Sequence, residues 1–128
     1  MASDSVERVI PVSTEATWAL VGDFNALDKF SPALEAYRID DNGDRVLTVF
    51  GNEIRERFTS RDDSARSITY SIIEGLPVTS HVATITVHDD PAGSRVTWDV
   101  TVEPEEMLGL FSAIYTGSLG DLETALLA

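Results

Sequence analysis

The sequence predicts an α+β fold: a curved, seven-stranded antiparallel sheet wrapped around a long C-terminal helix, with two short helices between strands one and two. Three observations carry this expectation. Across 104–128, Met107, Leu108, Phe111, Ile114, Tyr115, Leu119, Leu122 and Leu126 recur at i, i+3, i+4, i+7 spacing, one broad apolar stripe on a helix. From Ala33 to Glu103, apolar and polar residues alternate with period two in short runs. Tight turn sequences separate those runs, which makes an antiparallel meander with one apolar face. A stripe that wide needs cover in water, and so does the apolar face of the sheet. Each is the natural cover for the other.

Taken in order, Ser5–Val12 reads as the first strand, with Pro11 placing it at an edge or terminus. Ser13 or Thr14 caps a helix with Glu15 in its first turn, and Gly22 stops it. Residues 23–32 form a second short helical piece and loop carrying Phe24, Leu27 and Phe30. Strands over 34–40 and 45–50 flank Asp41-Asn42-Gly43-Asp44, a strong hairpin signal. Gly51-Asn52, Asp62-Asp63-Ser64, Gly75-Leu76-Pro77 and Asp89-Asp90-Pro91-Ala92-Gly93 divide the remaining strands at 53–61, 66–74, about 81–88 and about 95–103. Pro104 suits the first turn of the last helix, and Glu105 and Glu106 suit its positive end. Gly109, Gly117 and Gly120 each lower that helix's propensity. They either admit close approach of the sheet or a ligand, give the helix a joint, or are tolerated on its surface.

At 128 residues the chain is expected to be a single domain over 1–128, able to bury roughly two thirds of its unfolded surface. Twenty-two acidic residues against nine basic ones give a net charge of −13, spread along the chain. Phosphate backbones and anionic membrane surfaces would be repelled, so nucleic acid is not an expected partner. No apolar run approaches a membrane span, and the N-terminus lacks a signal peptide's pattern. With no cysteine, disulfides, thiolate metal sites and a cysteine nucleophile are excluded, and the cytoplasm is the expected compartment. No cofactor is expected. Asp40-Asp41-Asn42-Gly43-Asp44 has Arg45 and Gly51 where a calcium loop needs glycine and glutamate, and two histidines make a poor zinc site, so no metal is expected either.

Several landmarks along the whole chain resemble one superfamily. They are Val9-Ile10-Pro11-Val12-Ser13 with Glu15, Trp18 and Leu20; Phe24; Phe30-Ser31-Pro32; Gly51; Ile54-Arg55-Glu56-Arg57-Phe58; Tyr70; Leu76-Pro77-Val78; and Val96-Thr97-Trp98. In this order they resemble the START-like, or Bet v 1-like (SRPBCC), superfamily, and within it the polyketide cyclase/dehydrase and lipid-transport group. The resemblance implies the helix-grip fold and a cavity between sheet and C-terminal helix. It does not choose among carriers, receptors and enzymes, which share this fold. Where relatives often carry a tyrosine, this chain has His81.

The inward register places Glu56 between Ile54 and Phe58, where an unpaired carboxylate would be costly. It should be a polar anchor or acid/base for a ligand, an arginine-paired structural group, or a rim residue. His81 begins an inward-facing strand and is placed to pair with Glu56 or Tyr70 as a general base, or to be hydrogen-bonded at a cavity mouth. The expected ligand-contacting set is Glu56, Phe58, Tyr70, Ile72, His81, Ala83 and Trp98 from the sheet, with Met107, Phe111 and Tyr115 from the helix. Glu56, His81 and Tyr70 are the catalytic candidates.

The leading expectation is binding of a small hydrophobic or aromatic molecule, lipid-, quinone- or polyketide-like. The alternatives are a cyclase, aromatase or dehydratase moving protons through those three residues, or a protein-interaction module with a collapsed cavity. Monomer and homodimer both fit the sequence.

Overall fold

The computed structural model describes residues 2–128. β1 (Ala2–Ile10) is an edge strand paired only with β7 (Gly93–Glu103), from Ala2 opposite Val102 to Ile10 opposite Ser94. It starts earlier than the alternation suggests and ends at Ile10, because Pro11 has no N–H to give the ladder. α1 (Thr14–Val21) follows, with the Ser13 hydroxyl accepting the Ala16 N–H at 3.2 Å and Gly22 as its C-cap. A 3-10 helix at Phe24–Lys29 comes next, capped by the Asp23 side chain.

The chain then runs back and forth through β2 (Ala36–Ile39), β3 (Arg45–Val49), β4 (Asn52–Asp62), β5 (Ser67–Glu74), β6 (Ser80–Asp90) and β7. The seven strands form one antiparallel sheet ordered β1-β7-β6-β5-β4-β3-β2. Phe50 and Gly51 both have positive φ, 52° and 77°, in the two-residue turn that joins β3 to β4. Mirror-image turns of this kind match the right-handed twist of the strands. They also fix the register, so Leu47 faces Ile54 and Arg45 faces Glu56.

α2 (Leu108–Leu127) closes the chain after a short 3-10 turn at Glu105–Met107. It buries Phe111, Tyr115, Leu119 and Leu122 and packs chiefly on β1 and β7. The other flank of the stripe is not covered: Leu110 is 47% and Ile114 37% exposed. Ile114, expected in the buried stripe, therefore faces open space, because the helix sits over one end of the sheet only. No helix among the described residues is long and apolar enough to cross a membrane.

The helix glycines are not there to admit the sheet. A Cβ added at Gly109, Gly117 or Gly120 would meet nothing within 4 Å. Gly109→Ala and Gly120→Ala should each raise stability by about 0.5–1 kcal/mol, from the lower backbone entropy of alanine, read as higher midpoints in urea denaturation.

Candidate functional site

Because α2 rests on β1 and β7 while β3–β5 curl away from it, a cavity of about 480 Å3 lies between them. Leu47 and Val49 of β3, Glu56 of β4, Tyr70 of β5 and Trp98 of β7 form its sheet wall. Ala113, Ile114, Tyr115 and Gly117 of α2 face them, and Leu27 and Leu34 close one side. Phe50, 81% exposed at its hairpin turn, stands at the mouth with Leu110 and Ile114. The lining is mainly apolar, with a few polar groups gathered on the floor.

The central polar feature is an ion pair. Arg45 Nε donates to Glu56 Oε1 at 2.6 Å, with both side chains under a tenth exposed. The register sets this up, since the two are directly opposed on adjacent strands. Arg45 Nη1 also donates to the Phe24 carbonyl at 2.8 Å, and the guanidinium lies 4.1 Å from the Phe24 ring centroid and 4.8 Å from that of Tyr70. Burial of the pair is tolerable only because each charge is matched and held by further contacts.

Behind the floor sits His81, 3% exposed. Its Nδ1 accepts the backbone N–H of Ile72 at 3.0 Å, so that nitrogen is bare and Nε2 carries the proton. Nε2 is 2.9 Å from the Tyr115 hydroxyl and so donates to it. The β5–β6 ladder reaches only Tyr70–Ala83, and the imidazole takes up the N–H that the ladder leaves over. Burial lowers the His81 pKa to about 4, so the ring is neutral at neutral pH. Burial likewise raises both tyrosine hydroxyls, with the Glu56 carboxylate adding to the effect, and keeps them protonated. Trp98 stacks on Tyr115 at 4.5 Å and 10°. Its indole Nε1 is buried and has no hydrogen-bond partner among the described residues.

Comparison with known proteins places this architecture. Residues 1–126 match the family described as polyketide cyclase / dehydrase and lipid transport. The chain belongs to that family. A solved protein from Bacillus thuringiensis, described only as uncharacterized, is 32% identical over 99% of this chain and 100% of its own, with a TM-score of 0.88. XoxI from Bacillus cereus is 33% identical over 99% of this chain and 96% of its own, also at 0.88. At 16% identity Ara h 8.0201 shares the fold, with a TM-score of 0.77 over 98% of this chain and 97% of its own. No curated protein matches the sequence at a significant level.

Within this polyketide cyclase / dehydrase and lipid transport domain, four of the ten residues expected to contact ligand line the cavity: Glu56, Tyr70, Trp98 and Tyr115. His81 lies behind Tyr115, bonded to neither Glu56 nor Tyr70. Phe111, 1% exposed, packs on the His81 ring at 4.8 Å. Ile72 and Ala83 are buried in the sheet's core layer, and Met107 is half-buried beside that core ahead of α2. None of these five borders the cavity. Phe58 is a correction of orientation. It is 43% exposed, packs edge-on against Phe24 at 5.6 Å, and borders an outer groove with Arg57 and Asp44. Phe24 stands between it and Tyr70, and β4 is bulged just beyond Phe58.

Arg45 is the residue the alternation alone missed. The sequence places the turn at Gly51-Asn52, but it lies one residue earlier, at Phe50-Gly51, and that shift is what pairs position 45 with position 56. Phe50, Leu110 and Ile114 were missed as well, because exposed apolar residues at a mouth look in sequence like ordinary core. Among the described residues no cluster of three histidine, aspartate or glutamate side chains is arranged for a metal.

Two outcomes follow from this geometry. The His81 pKa is lower folded than unfolded, so the unfolded chain binds the extra proton between about pH 6.5 and 4. Stability should therefore fall as pH drops through that window, by at most ~1.4 kcal/mol per pH unit. His81→Gln should flatten the slope between pH 6.5 and 5 in denaturation midpoints. For the ion pair, Glu56→Ala should lower stability by about 3 kcal/mol, because it leaves Arg45 buried without its counter-charge. Arg45→Met combined with Glu56→Leu should recover most of that loss, measured by chemical denaturation.

Proposed function

We propose that this chain binds a small hydrophobic or aromatic molecule in the cavity between the sheet and α2. The observation that carries the reading is the cavity itself: about 480 Å3, walled by aliphatic and aromatic side chains, open at Phe50, Leu110 and Ile114, with a buried ion pair on its floor. An apolar wall supplies affinity by removing ligand surface from water, and a few polar groups supply orientation. Membership of a family described by polyketide chemistry and lipid transport supports ligand binding in general terms. The cytoplasmic setting inferred from the cysteine-free composition belongs to the same proposal.

The acid–base alternative finds less support. The His81 lone pair is occupied by the Ile72 N–H, its low pKa leaves it a weak base, and Glu56 is held by Arg45. A collapsed interaction module fits poorly with the open cavity.

The test uses N-phenyl-1-naphthylamine, a neutral probe that brightens in apolar surroundings. Wild-type protein should bind it with one-to-one stoichiometry and gain thermal stability, about 2.7 kcal/mol at a hundred times Kd. Gly117→Leu fills the cavity from a position where an added side chain meets open space, so it should fold normally and lose the probe. If the wild-type protein leaves the probe dark, or Gly117→Leu binds it equally well, the cavity is not the binding site.

A further inference from the structure

One carboxylate on the cavity wall is left without a partner. On α2, Ile114, Gly117, Ser118 and Asp121 follow at i, i+3, i+4 and i+7, which puts them on one stripe, and all four border the cavity. Asp121 is half-buried there and makes no hydrogen bond or ion pair among the described residues. Glu123, two residues on, is held instead by Arg8 of β1 at 2.9 Å. Every arginine of the chain is paired with a carboxylate other than Asp121, and Lys29 forms no ion pair among the described residues. The protein's own cations are engaged elsewhere.

The rest of the opening has the same sign. Arg45, the one basic residue on the lining, is neutralised by Glu56 at 2.6 Å, so Asp121 leaves the lining with a net negative charge. Beside the mouth, the Glu35 carboxylate accepts the Gly51 N–H at 3.2 Å, next to Phe50. Phe50 itself is 81% exposed and offers an aromatic face, a surface that attracts organic cations. The floor is different, because its ion pair is already matched and under a tenth exposed. Walls and floor therefore suit an uncharged apolar body, and only the rim has charge to offer a ligand head.

We propose that the cavity takes a molecule with an apolar body and a single ammonium group, the body inward and the cation at the rim against Asp121. This rests on the reading of the cavity as a ligand site and adds the sign and position of the ligand's polar end. An ammonium at the rim keeps much of its water while gaining the carboxylate. An anionic head in the same place meets like charge from Asp121 and from a protein that carries −13 overall.

Three probes with one naphthalene body test it: 2-naphthylmethylamine, protonated at neutral pH; uncharged 2-naphthylmethanol; and ionised 2-naphthoate. By calorimetry at low salt, the amine should bind about fivefold more tightly than the alcohol, and naphthoate about fivefold more weakly. Asp121→Asn should bring the amine to within about twofold of the alcohol and leave the alcohol itself unchanged. Asp99→Asn removes the same charge from the exposed outer face of β7 and should leave the amine's advantage in place. Added salt should erode that advantage while the alcohol holds.

Failure of all three probes to bind overturns the cavity reading and this proposal with it. Binding of the alcohol with no advantage for the amine overturns the ammonium assignment alone. So does an advantage that survives Asp121→Asn, or one that Asp99→Asn removes equally, since it then comes from the charge of the whole protein. If Asp121→Asn does not fold, Asp121→Glu should retain the advantage and Asp121→Ser should lose it, and the opposite result overturns the assignment.

Discussion

The structure depends on how little of the sheet α2 covers. A twenty-residue helix laid over β1 and β7 seals one end of the core with Phe111, Leu119 and Leu122. Seven strands with accumulated twist cannot lie flat beneath it, so β3, β4 and β5 curl away from the helix. Side chains of ordinary size do not fill the gap. The 3-10 helix carrying Phe24 and Leu27 plugs one side of it, and the remainder is the cavity.

Within that gap the Arg45–Glu56 pair performs a task that apolar residues would not. Apolar side chains of similar volume can be as stabilising as a buried ion pair. A fully apolar floor would leave Tyr70, Tyr115 and Trp98 with fewer polar neighbours. The pair presents donors at fixed positions while carrying no net charge. His81 supports it indirectly: by accepting the Ile72 N–H and donating to Tyr115, it fixes where that tyrosine's oxygen lies. Its neutrality follows from burial and is part of the arrangement.

The fold was legible because its signals are periodic. The change from period two to period 3.6 near Pro104, the Ser13 cap and the glycine-bearing turns each correspond to a local physical rule. The elements appear in the expected order with ends shifted, as where the turn expected at Gly51-Asn52 lies one residue earlier and α2 begins only at Leu108. The site was legible only in part. Inward register identified Glu56, Tyr70 and Trp98, and the helix stripe Tyr115, but neither can tell which inward residues meet neighbours and which meet space. Ala83 and Trp98 share a face, and one is sealed under the core while the other borders the cavity. That division is decided by the lateral position of α2 on the sheet, which no single segment encodes. Phe58 shows the same limit, since alternation turns it inward while the placement of Phe24 leaves it outside.

Several departures from local rules border the cavity, while others, such as the positive φ of Arg66 and the buried Asp44, lie outside it. Phe50 has φ of 52°, unusual for an aromatic residue, and Gly117 interrupts a helix where an alanine would have room. The Trp98 N–H is unpaired, an ion pair is buried, and Leu110 and Ile114 are left exposed. All of these residues border the same 480 Å3 cavity. Away from it, Val96, Val102, Leu119 and Leu122 are packed with almost no exposure. Where several local conflicts meet at one wall, they fit the proposed ligand site, since a functional site is where an otherwise consistent fold can carry such costs.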